Sequence, residues 1–175
     1  MTRTLAFSLL LLPVIALAQH QPYAGQQERE IKALSPDEVK QYLSGAGMGY
    51  ARPAELNRFP GPMHVLELAD KLELTEEQRA RTQALMDAHK AEARAIGAKR
   101  VESERAIEAL FRSGKVDEAA LARSVREAAA LEGEYRLSHL ETHRRLRALL
   151  TEEQVARYVH LRGYGTTVSS HGSKH

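Results

Sequence analysis

The 175-residue chain contains no cysteine. Disulfides and a cysteine nucleophile are therefore excluded, and stability must come from packing, a metal or self-association. Proline is missing from Met63 through Arg162. A hundred residues without it, rich in Ala, Leu, Glu and Arg, predict helix almost throughout. Charge of one sign is missing as well. Without Arg3, the 25 Lys plus Arg fall to 24 against 23 Asp plus Glu, a balance that disfavours nucleic-acid binding. No GxSxG, no phosphate-binding glycine loop and no distinctive carboxylate pair is present, so an enzyme is not expected. The one glycine-rich candidate, Gly45 to Gly49, lacks the strand and following helix of a nucleotide loop and reads as a flexible connector.

Long apolar runs are absent except at the start, where Arg3 precedes LAFSLLLLPVIALA. Ala16-Leu17-Ala18 supplies the small residues that signal peptidase reads, so residues 1–18 are expected to be a signal peptide cleaved after Ala18. A membrane anchor would need about 20 apolar residues, and this run is shorter and broken by Pro13. The expected product is exported, periplasmic and soluble.

What is present is a repeated pentapeptide. LTEEQ occurs at Leu74-Thr75-Glu76-Glu77-Gln78 and again at Leu150-Thr151-Glu152-Glu153-Gln154. Thr followed three residues later by Gln is a capping box, in which hydroxyl and amide satisfy each other's backbone N–H groups. Two acidic residues between them suit the positive end of the helix dipole, and each Leu is placed to staple the corner. The repeats therefore predict helices from Met63 to Leu72, Thr75 to Arg112, Asp117 to Leu149 and Thr151 to Arg162. Ser113-Gly114-Lys115 is the turn between the long pair. Ser35-Pro36-Asp37-Glu38 is a further capping signature, starting a short helix to Leu43.

A tight turn makes the two long helices antiparallel neighbours, with facing residues summing to about 229. Both LTEEQ copies then meet at one end of the hairpin. The domain reading is a signal at 1–18, a Gly/Pro-rich arm at 19–62 with its helix near 36–43, a hairpin domain at 63–162 and a disordered, histidine-containing tail at 163–175. The fold class is all-α: a long antiparallel hairpin with short flanking helices, a hooked four-helix unit.

With its two LTxxQ-type motifs bracketing a helical hairpin in a small exported chain without cysteine, the sequence resembles the Spy/CpxP family of periplasmic stress proteins. Its relatives include the zinc-associated ZraP and the metal-sensing CnrX. The resemblance covers Met63 to Tyr164. It implies a hooked all-helical fold, usually a homodimer, with some members acting as ATP-independent chaperones and others binding or sensing metals.

The residues leave both functions open. Helical spacing puts Leu85, His89, Ala93, Ile96, Ile107, Leu110 and Phe111 on one stripe, and Leu121, Val125, Ala128, Leu131, Tyr135, Leu146, Leu149 and Leu150 on the other, so these are expected to form the seam. Its many alanines bury little, and a flanking helix or a second subunit must cover it. Arg126, Arg144 and Arg147 with Leu137 and Leu140 form a basic face with apolar spots. Such a face could hold unfolded or misfolded periplasmic proteins by charge first and apolar contact second; alternatively the leucines pack under the arm and the arginines are a solvated face.

His139 and His143, four apart, project from one side of a helix, and His89 faces residue 140. That spacing suits zinc, copper, nickel or cobalt. His64 or Glu92 could add a ligand. The alternative for His89 is a core histidine bonded to a neighbour. No cofactor is required on the chaperone reading, a divalent transition metal is the candidate on the other, and a membrane-bound sensor is a candidate partner on either.

Overall fold

The computed structural model describes residues 22–165. The signal peptide expected at 1–18 and the tail histidines His171 and His175 lie outside that range. Among the described residues the structure is all-helical: α1 Pro36–Ser44, α2 Arg52–Glu55, α3 Pro62–Glu67, α4 Glu76–Arg112, α5 Glu118–Arg147 and α6 Glu152–Leu161. None of these helices is long and apolar enough to cross a membrane.

Local chemistry sets the starts. Thr75 and Thr151 each cap a helix, and in both boxes the Thr hydroxyl accepts from the Gln backbone N–H while the Gln side chain accepts from the Thr N–H. Ser35 and Glu38 do the same at α1, with Pro36 at the first helical position. Asp117 caps α5 through a 2.7 Å bond from the Ala120 N–H, after a turn in which Gly114 sits at φ 67°. The helix expected to run to Leu72 is shorter, because the chain turns through Glu73 at φ 52° to bury Leu72 and Leu74 before α4 begins.

The two boxes meet, and their glutamines do more than cap. Gln78 Nε2 donates to Gln154 Oε1 and Gln154 Nε2 donates to Gln78 Oε1, each at 2.9 Å, while Gln78 Nε2 also reaches the Leu149 carbonyl. A capping box accepts Glu or Gln equally. A reciprocal amide pair accepts only Gln, because Glu has no N–H and two carboxylates repel. Around this junction Val65, Leu72, Leu74, Leu85, Leu146, Leu150, Val155 and Tyr158 form one apolar core.

A second core lies farther along the hairpin, where Ile31, Leu34 and Tyr42 pack on Ala93, Val101 and Tyr135. The segment expected as an arm thus covers the hairpin at mid-length. Gly97 permits it: a Cβ there would stand 2.1 Å from the Tyr42 carbonyl oxygen. The segment is held further by Tyr135, whose hydroxyl donates to the Ala46 carbonyl at 2.7 Å, so Gly45 to Gly49 is a docked turn rather than a loose connector. Docking also moves the buried stripe of α4. Gly97, Arg100, Val101 and Glu104 are buried, whereas Ile96, Ile107 and Leu110 are only partly so, and Phe111 and Val125, expected in the seam, are 58% and 48% exposed. The reason is cover: the N-terminal segment shields one flank of α4 as far as Arg112, which donates to the Glu30 carbonyl at 3.2 Å, and leaves Phe111 and Val125 uncovered.

Candidate functional site

Between the two cores the hairpin carries a polar layer. Leu85 and Leu146 belong to the first core and Ala93 and Tyr135 to the second; His89 and His139 stand between them. The facing rule put His89 level with residue 140, and the observed partner is His139, His89 Nε2 to His139 Nδ1 at 2.9 Å with the rings at 74°. Tyr135 packs edge-on against His139 at 4.8 Å between centroids.

His139 is 4% exposed. Burial, then the proximity of His89 and His143, pushes its pKa down to about 4, and burial lowers His89 as well. Both rings are therefore neutral at pH 7. One nitrogen of each is used in the mutual bond, and the outer ones, His89 Nδ1 and His139 Nε2, are buried with no partner. Whichever tautomer is present, one outer nitrogen offers a lone pair and the other an N–H. Groups of this kind cost about 1–3 kcal/mol each when left unmet, and the cleft that both rings line gives a ligand or water access to them.

His143, one turn along α5, takes a different partner. Its Nδ1 lies 2.7 Å from the Phe59 carbonyl oxygen, an acceptor only, so Nδ1 carries the proton and donates. In the neutral ring Nε2 is then the lone-pair atom. Glu55 on α2 sits beside it, with Oε2 3.7 Å from His143 Nδ1 and accepting the Gly61 N–H at 3.1 Å. The other Glu55 oxygen accepts from the Tyr158 hydroxyl, which burial and this carboxylate push well above the usual phenol range. Glu55 thereby ties α2, the Gly61 turn and α6 to the histidine end of α5.

His64 Nδ1 is bonded to Glu67 at 2.9 Å within α3, and Glu92 is exposed on α4. Four of the expected ligands, His64, His89, His139 and His143, line a single cleft of about 500 Å³ between the hairpin and the segment that covers it; Glu92 does not. The histidines share a cleft without closing into a cage: among the described residues no three His, Cys, Asp or Glu side chains stand close enough to hold an ion. Met48, Met63 and Met86 line the same cleft. The sequence reading missed them and Glu55: Met48, Met63 and Glu55 reach α4 and α5 only through the folded covering segment, and Met86, three residues before His89 on α4, was the one whose helical spacing could have found it.

The expected client-binding residues divide. Leu137 is 62% exposed, with Arg126 and Arg144 eleven and seven residues away on the same outward side of α5. Leu140 is half-buried, so it does not share that exposed patch. Arg144 is engaged by Glu141 through two bonds of 2.6 and 2.7 Å, and Arg147 is tied to Glu152 at the start of α6. These pairs make the face less basic than the arginine count suggests.

Compared with known proteins, residues 62–162 match the family model described as LTXXQ motif family protein. No curated protein and no solved structure matches the chain. The matched span runs from the first residue of α3 to the C-cap of α6 and contains both interlocked capping boxes. The chain belongs to the LTXXQ motif family, the group of Spy/CpxP-like periplasmic proteins that are in general non-enzymatic stress and metal-sensing proteins.

Proposed function

We propose that this protein binds unfolded or misfolded periplasmic proteins on the outside of its helical hairpin, as an ATP-independent, chaperone-like stress protein. The observation that carries the reading is the exposed Leu137 between Arg126 and Arg144 on α5. An exposed apolar side chain on a helix face that carries cations two to three turns away can meet a non-native chain by charge and hold its hydrophobic segments by contact. Phe111, Val116 and Val125, exposed toward the hairpin tip, are further apolar side chains open to a client. The test is light scattering from a denatured client diluted into chelator-treated protein. Suppressed aggregation supports intrinsic chaperoning; unaltered aggregation sinks the proposal.

A homodimer belongs to the same proposal, and light scattering coupled to gel filtration reads the mass directly. Export through cleavage after Ala18 belongs to the same proposal, as does a membrane-bound sensor partner.

A second reading is favoured by the two unpartnered imidazole nitrogens: the histidine cleft binds a transition metal. His143 already donates Nδ1–H to a backbone carbonyl, the arrangement that fixes tautomer and orientation in metal-ligating histidines. Alanine at His139 and His143 together is expected to lower zinc, copper, nickel or cobalt affinity at least tenfold by calorimetry. Equal affinity removes this site.

A further inference from the structure

Sulfur is scarce in this protein and oddly placed. There is no cysteine and there are four methionines, one of them Met1. The other three, Met48, Met63 and Met86, all line the histidine cleft, as do four of the five histidines among the described residues.

Three walls supply these donors. On α4, Met86 and His89 are three residues apart and so project from the same side of the helix. On α5, His139 and His143 are four apart and do likewise. The covering segment brings Met48 from the docked 45–49 turn and Met63 from the first turn of α3. A set of nitrogen and thioether donors is thus assembled only when that segment is docked.

The type of donor selects the type of ion. Zinc in a structural site takes four ligands from His, Cys, Asp and Glu, and no such group of three is close enough among the described residues. Thioether is a soft ligand that suits Cu(I) and does not suit hard dications, which take oxygen. Low coordination numbers, two or three, are normal for Cu(I). The His89–His139 pair shares a hydrogen bond of 2.9 Å, His139 is buried, and one of the two outer ring nitrogens presents an unpartnered lone pair to the cleft.

We infer that the cleft takes a soft monovalent ion, Cu(I), on imidazole nitrogen of His89, His139 or His143 together with the thioethers of Met86, Met63 and Met48. This rests on the reading of the cleft as a metal site and narrows the class of metal it takes. An ion bridging the hairpin and the covering segment would also lock the two together.

The experiment titrates untagged, chelator-treated protein with silver nitrate, a redox-inert stand-in for Cu(I), in chloride-free buffer, and separately with zinc sulfate. It is then repeated on Met48→Leu/Met63→Leu/Met86→Leu, a swap that keeps volume and leaves every histidine, including those of the tail, in place. The expected result is silver binding that raises the wild-type unfolding midpoint, a loss of at least tenfold in silver affinity in the triple variant, and no change in its response to zinc. Unaltered helix content by circular dichroism confirms that the variant is folded, and Met86→Leu alone, expected to weaken silver binding in part, serves if it is not. Wild-type binding of zinc with silver affinity that ignores the methionines overturns this inference and leaves the metal reading standing. Binding of neither ion overturns both.

Discussion

Gly97→Ala sets two physical effects against each other. In an exposed helix interior, alanine is preferred over glycine by about 1 kcal/mol, so a reading of α4 alone predicts stabilisation. The tertiary structure predicts the opposite. A Cβ at Gly97 would lie 2.1 Å from the Tyr42 carbonyl oxygen and 3.2 Å from the Tyr135 ring, where 3.0 Å is already closer than real Cβ atoms come. Helix α1 would have to retreat by the difference, 3.0 minus 2.1 or 0.9 Å, and its contact is with backbone, which cannot rotate away. Retreat loosens Tyr42 from its edge-on contact with Tyr135 at 5.1 Å and from the Arg100 guanidinium at 5.9 Å. Overpacking of this kind costs about 1–3 kcal/mol; with backbone as the obstacle the upper part of that range applies. After the propensity gain the net loss is about 1–2 kcal/mol. The assay is urea unfolding followed by circular dichroism, with amide hydrogen exchange over residues 31–50. Gly133→Ala is the control: that glycine is interior to α5 with nothing within 4 Å of a built Cβ, and it should gain about 0.4–1 kcal/mol. Equal stabilisation by both substitutions, with unaltered protection of 31–50, would refute the docking of α1 at Gly97.

Three further outcomes are expected. Gln154→Glu keeps an acceptor for the Thr151 N–H but loses the amide donation to Gln78 Oε1, so urea unfolding should show a loss of about 1–2 kcal/mol; adding Gln78→Glu should cost more than the sum of the singles, because two carboxylates then face each other. In metal-free protein, the His139 pKa near 4 against about 6.5 when unfolded means that the unfolded state binds the proton first as pH falls. Stability is therefore full above pH 6.5 and declines by about 3 kcal/mol toward pH 4, and His139→Gln should flatten that slope in unfolding midpoints measured across the range. Leu137→Asp changes a side chain that is 62% exposed, so stability should move by no more than about 0.5 kcal/mol while client protection falls severalfold in the scattering assay; full protection would remove Leu137 from the client surface.

The helices and their starts were legible in the chain because the signals are local. Thr75 with Gln78, Thr151 with Gln154, Ser35 with Glu38 and Asp117 each satisfy backbone donors within one turn, and no distant residue is needed to decide them. The level of His89 against His139 followed from a short turn and a constant rise per residue. Packing across the chain was not legible in the same way. Helical period marked Phe111 and Val125 as seam residues, yet their burial depends on which flank of the hairpin another segment covers, and both remain exposed. Gly97, a poor helix former with no local signal to explain it, is a contact with Tyr42, 55 residues earlier.

By itself, then, the sequence determined an all-helical hairpin closed by paired capping boxes, because hydrogen bonds within a turn and a repeat of 3.6 residues are properties of neighbours. Only the tertiary structure decided that residues 31–61 dock on that hairpin, that the two capping glutamines bond to each other, and that three methionines join four histidines in one cleft. Those are meetings between residues far apart in the chain, and they depend on which surfaces exclude water together rather than on any local pattern.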